Sequence, residues 1–391
     1  MKVAVNLFLA SPKSITGAFV YIQDILPALF RADPSTTYYL LGGTETVEYF
    51  RALYKDIPNV RFRIFDIRRD LFANPVRAIR KLLAKMRNDF ETREAIIVAE
   101  VNAYIKKEGI GVYFSPSQTL FPRGLEQVKT VTTILDLQFD YLPENFPPSY
   151  LEKRRRDARY TVEHSDCLIA ISHYTAKTLE EKYAASPSKM KVIWWAPHEN
   201  TKGPSNNVEV PRNFVFYPAA IWPHKNHAVL IKALGILKDR SPQLHVVCTG
   251  VVKGKDLKGE LEALAESEGV RERVLFMGFL PDEDLPSIYT RAKALVFPSA
   301  FEGFGLPLIE AMQFGVPVIA ADNTSITEVV ADAGILVPTG DAQALAQAIE
   351  RVLTDTTLRD SLIQKGLARA KLFSWDTAAT ETLEVFREIV A

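Results

Sequence analysis

The chain has 391 residues, enough for about two domains, and 47% of them are apolar, which supplies large cores. Its 47 lysines and arginines balance 47 aspartates and glutamates, so no global field selects nucleic acid or a strongly acidic partner. Cys167 and Cys248 are the only cysteines; both sit in apolar strand-like runs, which excludes a disulfide framework and fits buried thiols in a reducing compartment.

The opening MKVAVNLFLASPKS faintly imitates a secretory signal, but its apolar run is short and broken by Asn6, so it reads as a first strand, Lys2–Leu9. No later run is long enough to span a bilayer. The loop Ser11–Ala18 contains Gly17, and a helix through Val20, Ile25, Leu26 and Leu29 follows. Strands are predicted at Tyr38–Leu41, Val60–Phe65, Val112–Ser115, Lys129–Leu135, Cys167–Ser172 and Lys191–Ala196, with helices at Thr46–Tyr54, Pro148–His164 and Thr175–Tyr183. Strand and helix in turn mean a parallel sheet covered on both faces. One insertion, about 68–107, interrupts this rhythm with two helical patterns. The first carries Arg68, Arg69, Arg77, Arg80, Lys81, Lys85 and Arg87 around Leu71, Phe72, Leu82 and Leu83. It reads either as a basic amphipathic helix lying on an anionic membrane or as a helix packing its apolar stripe on its own domain.

The polar segment Glu199–Arg212, with proline, glycine and adjacent asparagines, is the best linker. Beyond it the alternation resumes. Strands are predicted at Phe214–Tyr217, Leu244–Thr249, Val274–Met277, Leu295–Phe297, Val318–Ala321 and Ile335–Val337. Helices are predicted at Ala228–Lys238, Leu257–Ser267, Leu285–Ala292, Ala342–Leu353 and Thr357–Leu372, with a terminal one after the N-cap candidate Ser374. The chain therefore divides into residues 1–200, residues 210–374 and a terminal helix, 375–391. Two such sheets in tandem imply a cleft between domains, a favoured place for a small ligand.

The stretch Ala294–Ala321 says most about function. A buried strand breaks at Pro298 into a loop with Gly303 and Gly305, and a helix begins near Pro307 and stops at Gly315 and Pro317. A loop at the carboxyl end of a parallel strand that feeds a helix N-terminus binds anions, and its glycines let backbone N–H groups approach a phosphate. Glu302 and Glu310 would repel a bare phosphate but can accept hydrogen bonds from sugar or ribose hydroxyls. A nucleotide-sugar satisfies both halves of that pattern; solvated glutamates on a loop and a helix face are the plainer alternative.

These residues resemble a known family. The run FPSAFEGFGLPLIEAMQFGVPVIAADNTSITEVVADAGILV resembles the signature of family 4 glycosyltransferases, and FYPAAIWPHKNHAVLIKAL resembles the same family's donor-phosphate loop. The likeness covers the C-terminal half and, more loosely, Asp136–Gln138, Leu142–Glu144 and Cys167–Lys177. It implies a GT-B architecture, two Rossmann-like domains facing across a cleft, with the last helix crossing back to an acceptor-binding first domain. It also implies metal-independent transfer of a sugar from a nucleotide diphosphate, with retention, to a saccharide or lipid-linked saccharide in the cytoplasm or at the inner face of a membrane. By resemblance, Lys225 contacts the donor diphosphate and Glu302 the sugar hydroxyls. Backbone groups at Phe304, Gly305 and Leu306 hold sugar and phosphate, and Glu310 holds the ribose. Gly17 lets the first loop approach diphosphate or acceptor, and Asp136 either faces the acceptor or caps a turn.

Two departures from the family pattern stand out: Ala220 replaces an arginine and Leu135 a histidine, with His224 and His227 as candidate substitute cations. Asp282-Glu283-Asp284 resembles a metal-binding acid pattern but reads better as capping of the next helix. The six histidines make no metal-ligand spacing, so no cofactor or metal is expected. A nucleotide-sugar epimerase or phosphorylase, and a non-catalytic nucleotide-sugar binding subunit, remain as alternatives.

Overall fold

The structure, a computed structural model, describes residues 1–13, 17–65, 90–198, 208–252 and 256–391. The basic stretch Arg68–Arg87, most of the predicted linker and residues 14–16 of the first loop lie outside these.

The first sheet contains β1 (Lys2–Asn6), β2 (Thr37–Gly42), β3 (Val60–Ile64), β4 (Val112–Ser115), β5 (Lys129–Ile134), β6 (Cys167–Ala170) and β7 (Met190–Val192). Its helices are α1 (Gly17–Ala32), α2 (Thr44–Tyr54), α3 (Phe90–Glu108), α4 (Gln138–Tyr141), α5 (Pro148–His164) and α6 (His173–Tyr183). The second sheet contains β8 (Phe214–Pro218), β9 (His245–Thr249), β10 (Val274–Phe276), β11 (Ala294–Phe297), β12 (Val318–Ala321) and β13 (Gly334–Val337). Around it run α7 (His227–Ile236), α8 (Leu257–Ser267), α9 (Leu285–Tyr289), α10 (Leu306–Gln313), α11 (Thr324–Val330), α12 (Ala342–Thr354) and α13 (Thr356–Ala370), and α14 (Trp375–Val390) follows.

The strand orders are β3-β2-β1-β4-β5-β6-β7 and β10-β9-β8-β11-β12-β13, every pairing parallel. β4, β6, β11 and β12 are buried along their whole length, as continuous apolar strands covered by helices on both faces must be. Each order reverses once, between β1 and β4 and between β8 and β11, and these switch points open crevices at the carboxyl ends of the strands.

Several element ends differ from the sequence-based expectation for local reasons. The first strand stops at Asn6 rather than Leu9. The Asn6 carboxamide donates to Ser115 Oγ at 3.1 Å and the Phe121 carbonyl at 2.8 Å, and accepts from the Phe8 N–H at 3.0 Å, which turns the chain. Gly17 is the first residue of α1, not part of the loop. Asp284 stands at the start of α9 in helical backbone geometry and makes no capping hydrogen bond, so the capping read for that acidic run does not hold there. Within the predicted insertion, α3 buries Val101 and Ile105 against Tyr39, Phe65 and Tyr113, so its apolar side packs on its own domain. No described helix is long and apolar enough to cross a membrane.

α14 packs back across α1. Ser374 accepts from the Asp376 and Thr377 N–H groups, Trp375 Nε1 donates to the Pro197 carbonyl at 2.9 Å, and the buried Phe386 ring lies 5.2 Å from Phe114 on β4.

Candidate functional site

β11 ends at Phe297, and the chain passes over the strand end before entering α10. Gly305, immediately before that helix, has φ +104°, a left-handed conformation that side chains resist, so glycine is required by the backbone. The Gly305 and Leu306 N–H groups stand at the α10 N-terminus, outside the helix's own hydrogen bonds. Gly303 needs glycine for a different reason. A Cβ there would fall on the Leu135 carbonyl oxygen and within 2.9 Å of Asp136 Cβ, both in the N-terminal half. The Gly303 carbonyl lies 2.9 Å from Ser172 Oγ and 3.4 Å from Thr175 Oγ1. Gly303 is thus packed into the contact between domains through its Cα and carbonyl, while Gly305 stands at the helix N-terminus.

Lys225 comes from a short turn after β8 whose carbonyl at Lys225 accepts from the Tyr217 hydroxyl at 2.6 Å. Its Nζ lies 2.6 Å from Glu302 Oε1, with the two side chains 19% and 12% exposed. Sequence reasoning gave the two residues separate ligand contacts; here they hold each other. The surrounding loop is braced from α11. Ser325 Oγ lies 3.0 Å from the Glu302 and Phe304 carbonyls, and the Glu302 N–H donates to Thr324 Oγ1 at 3.3 Å. Phe304 is a core side chain packed 5.7 Å from Phe373, so only its backbone can contribute to a ligand site.

Glu310 lies on α10. The Tyr289 hydroxyl donates to its Oε2 at 2.5 Å. Burial raises the Glu310 pKa above the usual carboxylate value, and nearby Asp282 and Asp24 push the same way, against the Tyr289 hydrogen bond and His198. His198 Nδ1 lies 2.6 Å from Asp24 Oδ1, and that hydrogen bond raises the histidine's pKa. Glu302 and Glu310 thus occupy two ends of one loop and helix.

Leu135 is buried, and its carbonyl faces Gly303. Asp136 Oδ1 accepts from the Gln138 N–H at 3.1 Å, and its carbonyl accepts from Gln118 Nε2, so the residue shapes the turn into α4 directly against the Glu302 loop. A Cβ on Gly17 would make only an ordinary 3.5 Å contact with the Trp195 ring. Ala220 sits beside Gly250, where a Cβ would come within 2.8 Å of the Ala220 nitrogen. His227 is no substitute cation: burial, reinforced by Lys225, lowers its pKa to about 4, and its ring packs 4.6 Å from Tyr217. His224 is buried, and its carbonyl accepts from the Ala300 N–H at 2.7 Å, which organises the loop ahead of Glu302. An opening of about 190 Å³ lies at the carboxyl ends of β8, β9 and β10, lined by Ile221, Thr249, Gly250, Val252, Phe276 and Gly278. Among the described residues no three His, Cys, Asp or Glu side chains converge as a metal-ligand set.

Sequence reasoning missed the N-terminal groups that grip this site, Ser172 and Thr175, and the carboxylate of Glu328. Glu328 Oε1 accepts from the His173 N–H at 3.0 Å and from Trp194 Nε1 at 2.7 Å, and Oε2 accepts from the Tyr174 N–H at 3.3 Å.

Residues 199–369 match the family described as glycosyl transferases group 1. The chain is 27% identical over 287 residues to O-antigen chain mannosyltransferase B of Escherichia coli, covering 71% of this chain and 74% of that protein. It is 32% identical over 252 residues to the D-inositol 3-phosphate glycosyltransferase of Salinispora arenicola, but that match covers 59% of this chain and only 56% of the relative. Among solved structures, Anabaena HepE in complex with UDP and glucose superposes with a TM-score of 0.71 at 21% identity, over 99% of this chain and all of the other. That superposition establishes the GT-B fold.

Proposed function

We propose that this chain, a member of the group 1 glycosyltransferases through residues 199–369, moves a hexose from a nucleoside diphosphate to a saccharide or lipid-linked saccharide of a cell surface. Mannose is the first sugar to test, by analogy with the Escherichia coli relative. The observation that carries the reading is the sheltered Lys225–Glu302 pair, 2.6 Å apart, beside the switch point of the second sheet. An incoming diphosphate competes for the ammonium, and a sugar hydroxyl then takes the carboxylate, so one ion pair opens into two charge-assisted contacts.

In this reading the phosphates lie at the switch point, the ribose hydroxyls reach Glu310, and the base enters the opening at the ends of β8, β9 and β10. As the bond from the anomeric carbon to the phosphate oxygen breaks, negative charge grows on that phosphate. Lys225 and the N–H groups of Gly305 and Leu306 stabilise it where it develops. The acceptor hydroxyl bonds to the same face of the sugar and its proton passes to the departing phosphate, so configuration is retained and no metal is needed. Gly17 and Asp136 border the acceptor side.

Thermal-shift screening against UDP, GDP, ADP and their sugar conjugates, GDP-mannose included, with EDTA and then with magnesium, tests the donor. A ligand at a hundred times its dissociation constant stabilises the folded state by about 2.7 kcal/mol. One base giving a shift in EDTA, and an NMR-defined product of unchanged anomeric configuration, is the expected result. Folded protein that responds to none of these nucleotides would instead favour the non-catalytic alternative.

A further inference from the structure

α6 belongs to the N-terminal domain, yet its first turn is held by two groups from the other domain. The His173 and Tyr174 N–H groups, the first two of the helix, both donate to Glu328 on α11. The third, on Thr175, is capped by the helix's own Ser172 Oγ at 3.0 Å. A carboxylate on these N–H groups is favoured by the helix dipole, and here it arrives from across the cleft. Trp194, just beyond β7, adds its indole N–H to the same carboxylate at 2.7 Å.

Glu328 is itself held in place. Arg369 on α13 donates to the Glu328 carbonyl at 2.7 Å and the Val329 carbonyl at 3.1 Å, and its guanidinium lies 5.2 Å from the Trp194 ring centre. Ser172 Oγ lies 2.9 Å from both the Gly303 carbonyl and Thr175 Oγ1, and its one proton can be donated to either. One helical turn therefore grips both Glu328 and the backbone next to Glu302. Opening the cleft must break the three hydrogen bonds to Glu328 as well as the contact to Gly303, and the Glu302 loop cannot shift without moving against α6.

We infer that Glu328 is a positioning residue, a latch that holds the two domains in the closed arrangement and so fixes the Glu302 loop for transfer. The inference rests on the reading of that loop as the donor-sugar site. It touches no reacting atom; it acts through α6 and Gly303.

The test compares Glu328→Gln and Glu328→Ala with the wild type in two independent measurements. The first is the distance distribution between spin labels on Lys107→Cys in α3 and Gln347→Cys in α12, the native thiols being buried. The second is turnover of GDP-mannose together with the affinity for GDP. Loss of a carboxylate at a helix N-terminus should raise the open-to-closed ratio roughly fivefold and lower kcat in step with the closed population, with GDP affinity unchanged. Ser172→Ala combined with Thr175→Val should lower kcat while the distances stay closed, because it frees Gly303 and leaves Glu328 seated.

Wild-type distances in Glu328→Gln, or a loss of activity that follows only a lowered Tm, would overturn the latch. If Glu328→Ala does not fold, the isosteric Gln variant decides. A wild type that neither binds nor turns over GDP-mannose counts against the choice of donor alone, and the distance measurement still decides the latch.

Discussion

Glu302 and Glu310 lie eight residues apart on one loop and helix, and the molecule keeps them in opposite ways. Glu302 faces an ammonium at 2.6 Å in a site that solvent still reaches, whereas Glu310 accepts a phenol hydroxyl at 2.5 Å where burial raises its pKa. An ion pair at the edge of a cleft can trade partners with an anionic ligand. A carboxylate fixed by a tyrosine offers a set direction to a hydroxyl and little net attraction to charge. The difference teaches that spacing alone does not distinguish the roles of two acids; the partner each one has before the ligand arrives does.

The strongest way to break this comparison is to remove Glu302. Glu302→Ala should cut sugar transfer by about 10²–10³-fold while nucleotide binding changes only a few-fold, read by product formation and calorimetry. Unchanged transfer would remove Glu302 from the mechanism. Lys225→Ala should cost about 10²-fold in kcat/KM, and the double variant should lose less than the product of the single losses, because each single variant leaves a partly sheltered charge without its partner. A fully multiplicative result would mean that the pair in this structure has no functional coupling.

Smaller effects sharpen the other half. Glu310→Gln should weaken nucleotide binding about tenfold with kcat almost unchanged, and Tyr289→Phe about threefold, as expected for one charged and one supporting hydrogen bond. Stability carries a sign of its own. Because the Glu310 pKa is raised in the fold, its contribution is fully present below the ordinary value of 4.5 and is lost as pH rises through the raised value. Glu310→Gln should therefore melt above the wild type near neutral pH, with the gap closing toward pH 4. A gap that widens in acid would contradict the burial argument.

Much of this architecture is legible in the sequence because long apolar strands and punctuated helices are local signals. Cys167–Ser172 and Leu295–Phe297 read as buried strands, and the strands found there, Cys167–Ala170 and Ala294–Phe297, are buried; Leu257–Ser267 has the predicted helix bounds. Contacts between distant segments were not legible. Gly303 looks like Gly305 in the sequence, yet one is required by an approaching carbonyl from residue 135 and the other by its own φ. Ser325 and Glu328 have the spacing of a capping box for their own helix, but the Glu328 carboxylate goes to the start of a helix 155 positions earlier. Asn6 ends its strand through partners more than a hundred residues away, which no window of neighbours contains.

The return of α14 to the first domain has a consequence for synthesis on the ribosome. Phe114 on β4 is covered by Phe386, and α1 is packed by the same late helix. Chains emerge N-terminus first, so the first sheet must wait, with this apolar face uncovered, while the whole second domain is translated and folds. The nascent first half is thus a natural client for a chaperone that masks hydrophobic surface. A truncation that removes this helix would damage the domain furthest from it in sequence.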